Sequence, residues 1–215
     1  MNSFIEQLKI QLNSPLPGLK AQLLMVPDKI ANLRKNTEMS NDPKKSAVLI
    51  LLFPFQEGIS TILIERSVYT GIHSGQIAFP GGKAEESDPD LKYTALRETY
   101  EEVGVPVEEV QIIGSLTNVY IQPSNYLVTP YIGYLSYTPD FMINEREVQK
   151  VIKMDILNTD KVIRSTKKII YSNGLSLQTP FYNIEGHTIW GATAMMMSEF
   201  IVITEKTKQG LKNKN

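Results

Sequence analysis

The stretch TALRETYEEVG, residues 94–104, constrains this 215-residue chain more than any other. It sets three glutamates, Glu98, Glu101 and Glu102, at spacings of three and four around one arginine, Arg97. On an α-helix, residues so spaced are neighbours on one side. Asp88 is placed to cap the free N–H groups, Pro89 suits the first helical position, and Gly104 followed by Val105-Pro106 closes the helix. The limits expected are near 89 and 103. At about 100° per residue, Leu96, Tyr100 and Val103 form an apolar stripe with Thr99 and Lys92 at its margins. The three carboxylates point the opposite way, and Leu91 does not fit the stripe.

Most charge clusters are solvated polar faces. Surface helices, however, usually mix signs, and each like pair at this spacing costs about 0.2–0.5 kcal/mol. Arg97 is close enough to Glu101 to offset part of that cost; a bound divalent cation would remove it. Mg²⁺ and Mn²⁺ take oxygen ligands, and Mg²⁺ binds through a few carboxylates together with substrate phosphate oxygens. The preceding loop, FPGGKAEESD, supplies Gly81 and Gly82, where backbone can approach a metal or phosphate closely, and Lys83, which can meet an anion.

Composition narrows what such a site can do. There are no cysteines, so a disulfide framework, a thiol nucleophile and a thiolate metal site are excluded, which fits a reducing cytoplasm. Twenty-two Lys and Arg against 23 Asp and Glu leave a net charge of -1, so no global field draws the chain to nucleic acid or an anionic membrane. The longest apolar run, AVLILLFPF at 47–55, falls short of the roughly 20 residues that span a bilayer, and the chain reads as soluble and cytoplasmic.

One domain is expected at this length. SFIEQLKIQL has helical spacing and is broken by NSPLPG; with the polar stretch KNTEMSNDPKKS it makes an N-terminal helix and connector over 1–46. The main domain is expected over 47–207 and a polar tail over 208–215. Residues 47–55 read as a buried strand, STILIER as a second, and 67–82 as a long glycine-bearing loop; strand patterns recur at 110–121, 127–137, 161–171 and 180–190. Helical spacing is expected at 145–156 and from Ala192 to about Thr204, where Met195, Met196 and Met197 read as packing residues.

The segment GGKAEESDPDLKYTALRETYEEVGV resembles the signature box of the Nudix hydrolases: Gly, five residues, Glu, seven residues, then Arg-Glu-apolar-any-Glu-Glu-any-Gly-apolar. Arg97, Glu98, Glu101, Glu102, Gly104 and Val105 match its second half, with Thr99 at an apolar place. From Gly82 to Arg97 there is one residue more than the pattern, and the upstream Glu is replaced by a choice among Glu85, Glu86 and Asp88. The longer loop is similar to that of the coenzyme A pyrophosphatase branch. So is RSVYTGIHSGQIAFPGG, with Arg66, Ser67, His73, Gly75 and Gln76, although Gly71 stands where that branch carries a basic residue. LPGLKAQLLMVP, PSNYLVTPYIG, Glu147-Val148 and IWGATA look like the branch too.

The resemblance implies an α/β fold, a Nudix-type α/β/α sandwich with a mixed β-sheet and an added N-terminal helix. It implies a hydrolase that cleaves the diphosphate of coenzyme A or acyl-coenzyme A to 3′,5′-ADP and (acyl) 4′-phosphopantetheine. ADP-ribose or another nucleoside diphosphate derivative is the alternative substrate, and a non-catalytic nucleotide-binding module the alternative class. Mg²⁺ or Mn²⁺ would be held by Glu98 and Glu102, with Glu101 as a third or partial ligand and Gly82 beside them. Arg97 would orient a glutamate. The general base would be Glu98 or Glu147, although Glu147 also reads as a helix-start carboxylate. Arg66, His73, Gln76 and Lys83 are the substrate-binding candidates. The expected partner is a small nucleotide-type molecule, with a homodimer left open and neither nucleic acid nor membrane involved.

Overall fold

The computed structural model describes residues 1–35, 41–67, 75–159, 162–170, 174 and 176–213. The apolar run at 47–55 forms the centre of β1 (Lys44–Phe55). Its side chains alternate between two cores: Ala47, Leu49, Leu51 and Phe53 enter one, and Ile50 and Leu52 the other. A strand covered on both faces is expected to be continuously apolar, which is why this one reads as a run and not as an alternation.

β1 lies parallel to β7 (Tyr126–Tyr134) along one edge. Its other edge is shared by two antiparallel partners. Phe53–Phe55 form a hairpin with β2 (Gly58–Arg66), whereas Ser46–Val48 pair with β4 (Gly81–Lys83). β1 and β2 therefore splay apart beyond the hairpin, and the returning chain enters the gap, with β3 (Ile77–Ala78) on β2 and β4 on β1. Two short strands thus replace part of the loop expected at 67–82. β5 (Gln111–Ser115) and β6 (Val119–Ile121) pair with β7, and β8 (Val148–Asp155) pairs with β2, completing a mixed sheet of eight strands.

Helices cover both faces. α1 (Asn2–Leu12) is followed by the short α2 (Leu19–Gln22) and by α3 (Asp28–Lys35). The helix predicted from the glutamate pattern is α4 (Leu91–Val103); it lies over the Ala47, Leu49 and Leu51 side of β1. The last helix, α5 (Gly191–Lys212), packs with α1 on the opposite side. A second antiparallel sheet of β9 (Ile163–Ile170), β10 (Ser176–Ile184) and β11 (His187–Ile189) adds Tyr182, Ile184 and Ile189 to that core. The α/β/α sandwich with an N-terminal helix is the expected architecture, and no helix among the described residues is long and apolar enough to cross a membrane.

Two local expectations fail. Residues 145–156 are not helical: a turn at 145–147 leads into β8, an edge strand that buries Val148, Ile152 and Met154. Its bulge against β2 between Glu65 and Arg66 breaks the two-residue alternation and leaves a spacing that imitates a helix. α5 runs well past Thr204; Leu211 packs on the core, so residues 208–212 are helix and not tail. Met195, Met196 and Met197 are buried in α5 as expected.

Within this face, Glu199 of α5 is fully buried. It accepts from the Gly18 backbone N–H at 3.0 Å, Gln22 Nε2 at 3.0 Å, Thr117 Oγ1 at 2.7 Å and the Thr117 N–H at 3.4 Å. None of these donors is a cation, so the carboxylate is compensated by hydrogen bonds alone.

Candidate active site

α4 begins at Leu91 and not at Pro89, because the cap is Asp90: its Oδ1 accepts from the Tyr93 N–H at 2.9 Å. Gly104, at φ 75°, closes the helix with its N–H on the Tyr100 carbonyl. The buried face is rotated from the predicted stripe. Thr94, Ala95, Thr99, Glu102 and Val103 point inward with Leu91 half-buried, whereas Tyr100 is 54% exposed. The three carboxylates do not share one solvated side. Glu102 is buried, Glu98 half-buried and Glu101 exposed.

Glu102 goes inward because polar partners wait for it there. Gly81 donates its N–H to Oε2 at 2.9 Å, and Arg66 Nη1 stands 3.2 Å from Oε1. Gly81 has φ 145°, and a Cβ on it would overlap the Ala47 carbonyl and Val48, so only glycine lets β4 lie so close to β1. Burial nonetheless dominates the electrostatics, pushing the Glu102 carboxyl up to about 8 against the opposing pull of Arg66 and Gly81. Glu98 is also raised, again mainly by burial, with Arg97 opposing; Glu101 and Glu147 add repulsion. Gly82 lies directly under Glu98, where a Cβ would overlap the Glu98 carboxylate.

Arg97 is the hub of the exposed flank. Its Nε and Nη2 grip the two oxygens of Asp88 at 2.9 and 3.1 Å; Nη1 reaches Glu101 at 3.0 Å and Glu98 at 3.1 Å; and Nη2 donates to the Lys83 carbonyl at 3.2 Å. It touches two glutamates, but its bidentate partner is Asp88. Among the three acids offered by the sequence, Asp88 is the one that organises the loop. Besides Arg97 it accepts from the Glu85 N–H and Thr94 Oγ1, so it is not the helix cap. The Arg97 hydrogen bonds hold Asp88 well below the usual carboxylate range, and in turn hold the guanidinium charged.

The remaining candidates divide. Arg66 sits at the end of β2 and joins the site through Glu102. The Lys83 side chain is exposed at the end of β4. Gln76 is half-buried and pairs with Arg66 through its backbone carbonyl. His73 and Gly71 lie outside the described residues. Glu147 is exposed in the turn before β8, close enough to raise both Glu98 and Glu102. Asn144 Nδ2 donates to its Oε1 at 3.3 Å. Asn144 and Asp90 were missed as site-building residues. Asp90 could have been found as the acid directly before the first helical residue, and Asn144 as an asparagine opening the polar turn NERE.

Among the described residues, no three acidic or histidine side chains converge closely enough to hold an ion by themselves. The donor set still suits a hard divalent cation: carboxylate oxygens with raised proton affinity lie beside a bare glycine backbone.

A glutamate helix capped at Gly104, lying on a Gly-Gly strand within a mixed α/β/α sandwich, defines a class of hydrolase. The chain belongs to the Nudix family: residues 43–161 match the NUDIX domain. At the level of single proteins, it is 31% identical to the uncharacterized Nudix hydrolase NudL of Photorhabdus laumondii over 74% of this chain and 84% of that one. It is 32% identical to the uncharacterized NudL of Shigella boydii over 76% and 84%. The Nudix hydrolase RenU of M. smegmatis shares the fold, with a TM-score of 0.52 at 15% identity over 78% of this chain and 87% of that chain. The protein is a Nudix hydrolase, and the family works with divalent metal ions.

Proposed function

We propose that the substrate is coenzyme A or an acyl-coenzyme A, cut at its diphosphate to 3′,5′-ADP and (acyl) 4′-phosphopantetheine, with Mg²⁺ or Mn²⁺ held by Glu98 and Glu102. The observation that carries this reading is the one-residue extension between Gly82 and Arg97, accommodated by the Asp88 clamp, together with Arg66-Ser67 and Gln76 upstream.

Held by Glu98 and Glu102, the cation would supply charge neutralisation at the diphosphate and acidify a water. The chain supplies the rest. Glu102 is held by Gly81 and Arg66, so its carboxylate is oriented by the fold itself. Glu98 stands over Gly82, where the missing side chain lets its carboxylate lie against the backbone of β4. Exposed Glu101, turned outward by Arg97, is a partial ligand at most. Water adds to one phosphorus, the bond from that phosphorus to the bridging oxygen breaks, and the bridging oxygen leaves with the other phosphate. Glu147 accepts the proton of the attacking water: it is exposed, it neighbours Glu98 and Glu102, and its turn is held from both sides. Arg66, His73, Gln76 and Lys83 contact the nucleotide part of the substrate.

A second reading, ADP-ribose or a related diphosphate, is favoured by Gly71, which lacks the basic side chain suited to an additional phosphate. One lost contact of that kind is worth about 1.5–3 kcal/mol, or roughly tenfold to a hundredfold. The test is catalytic efficiency toward coenzyme A, dephospho-coenzyme A and ADP-ribose, in Mg²⁺ and in Mn²⁺. Coenzyme A is expected to be turned over with weak discrimination against its dephospho form. A clear preference for ADP-ribose overturns the coenzyme A assignment.

A further inference from the structure

We propose that Asn144 is a positioning residue that ties the Glu147 carboxylate to the same helix end that carries Glu102. The inference rests on the assignment of Glu147 as proton acceptor.

Asn144 uses nearly all its hydrogen-bonding capacity on this junction. Its backbone N–H donates to the Glu102 carbonyl at 3.0 Å, and the Met142 N–H donates to the Val103 carbonyl at 3.0 Å. Two carbonyls at the C-terminal end of α4, which have no partner within the helix, are thereby satisfied by the incoming loop. Asn144 Oδ1 accepts from the Arg146 N–H at 3.2 Å, the side-chain mimic of a backbone turn. The Asn144 carbonyl accepts from the N–H groups of Glu147 at 2.9 Å and Val148 at 2.8 Å. What remains is Nδ2, and it donates to Glu147 Oε1 at 3.3 Å.

The far side of the turn is fixed to β2. The Ser67 N–H donates to the Glu147 carbonyl at 2.8 Å, and Ser67 Oγ donates to the Glu145 carbonyl at 3.1 Å. Ser67 follows Arg66, which holds Glu102. β2, which holds Glu102 through Arg66, and α4, which carries it, therefore also fix the backbone of Glu147. The carboxylate itself hangs beyond that frame on rotatable bonds, and the Asn144 amide is the side-chain donor that steadies it. The turn fixes where residue 147 is; Nδ2 fixes where its oxygens are.

Asn144→Asp keeps an Oδ1 that accepts from Arg146, removes the donor to Glu147 and sets a like charge beside it, so the uncharged Asn144→Ser is its control. With whichever of coenzyme A and ADP-ribose the wild type hydrolyses, kcat is expected to fall roughly tenfold to a hundredfold, the scale of a reacting group displaced by ~1 Å. KM and Tm are expected to stay unchanged. Asn144→Ser, whose hydroxyl accepts from Arg146 but is too short to reach Glu147, should behave alike if the aspartate variant folds poorly. In a Glu147→Ala background, Asn144→Asp should cause no further loss of kcat. In metal-free protein, the Asn144 side-chain amide resonance should move on Glu147→Ala. A full additional loss in the Glu147→Ala background, or wild-type kcat in Asn144→Asp beside a large loss in Glu147→Ala, overturns the positioning role alone. Wild-type kcat in Glu147→Ala overturns the proton-acceptor assignment and the inference with it.

Discussion

The Gly81 backbone N–H donates to Glu102 Oε2 at 2.9 Å, joining the strand wedged between β1 and β2 to the last turn of the glutamate helix. A carboxylate expected opposite the apolar stripe is instead the buried pin between two elements.

Glu102→Gln removes the charge and little volume. Turnover should fall by several orders of magnitude, while the metal-free protein at pH 8 keeps or gains Tm, since a buried amide costs less than a buried carboxylate. Wild-type-like kcat in this variant, with metal still required, would sink the assignment of Glu102 as a metal ligand.

Raised to about 8 by burial, the Glu102 carboxyl keeps its proton in the native state through a range where the unfolded chain has lost it. The native state then binds more protons, so its stability is full below the ordinary carboxylate range and declines as pH rises toward about 8. Tm of metal-free protein should drop over that window, and Glu102→Gln should flatten the profile. Mg²⁺ or Mn²⁺ should restore Tm at the alkaline end. A metal-free Tm that rises steadily between pH 5 and about 8 would contradict the assignment.

Gly82→Ala introduces a methyl group where the Glu98 carboxylate lies. The backbone conformation there is ordinary, so folding should survive by rotation of Glu98, and the damage should appear in metal affinity. The measurement is the Mn²⁺ dissociation constant by electron paramagnetic resonance. Unchanged affinity with unchanged kcat would show that Glu98 and the Gly82 backbone do not share a site.

Asp88 is the acceptor for both prongs of Arg97 and for Thr94 and Glu85. Asp88→Asn should lower stability by about 1.5–3 kcal/mol, the worth of hydrogen bonds to a charged group. Because its carboxyl is held low by Arg97, the stability it gives is present at neutral pH and is lost as acidification protonates it. The difference between wild type and variant, read from urea midpoints, should therefore shrink at acid pH. A difference that stays constant down to pH 3 would place the effect elsewhere.

The glutamate helix, the Gly-Gly approach and the layers of the sandwich were legible because each depends on a local rule: spacing, backbone freedom, or apolar periodicity. The facing of α4 was not. Periodicity weighs apolar against polar residues, and here a glutamate points inward while Tyr100 points out, an inversion that only the distant Arg66 and Gly81 make affordable. The turn carrying Glu147 was misread as helical for a related reason. Its conformation is held by Ser67 and by carbonyls at the end of α4, none of which is near it in sequence. Asp90 was passed over because Asp88 and Pro89 offered an equally good start two residues earlier.

The Glu199 cluster sets a time order on how the chain is completed. Gly18 and Glu199 are 181 residues apart, and Thr117 stands 82 residues before Glu199. During synthesis, the N-terminal segment and the 117 region wait without their shared acceptor until α5 emerges. Closure of that face is thus a late, long-range event of the kind that slows folding. A nascent chain halted before residue 199 should hold the glutamate helix on its strands while its first twenty or so residues stay open to protease.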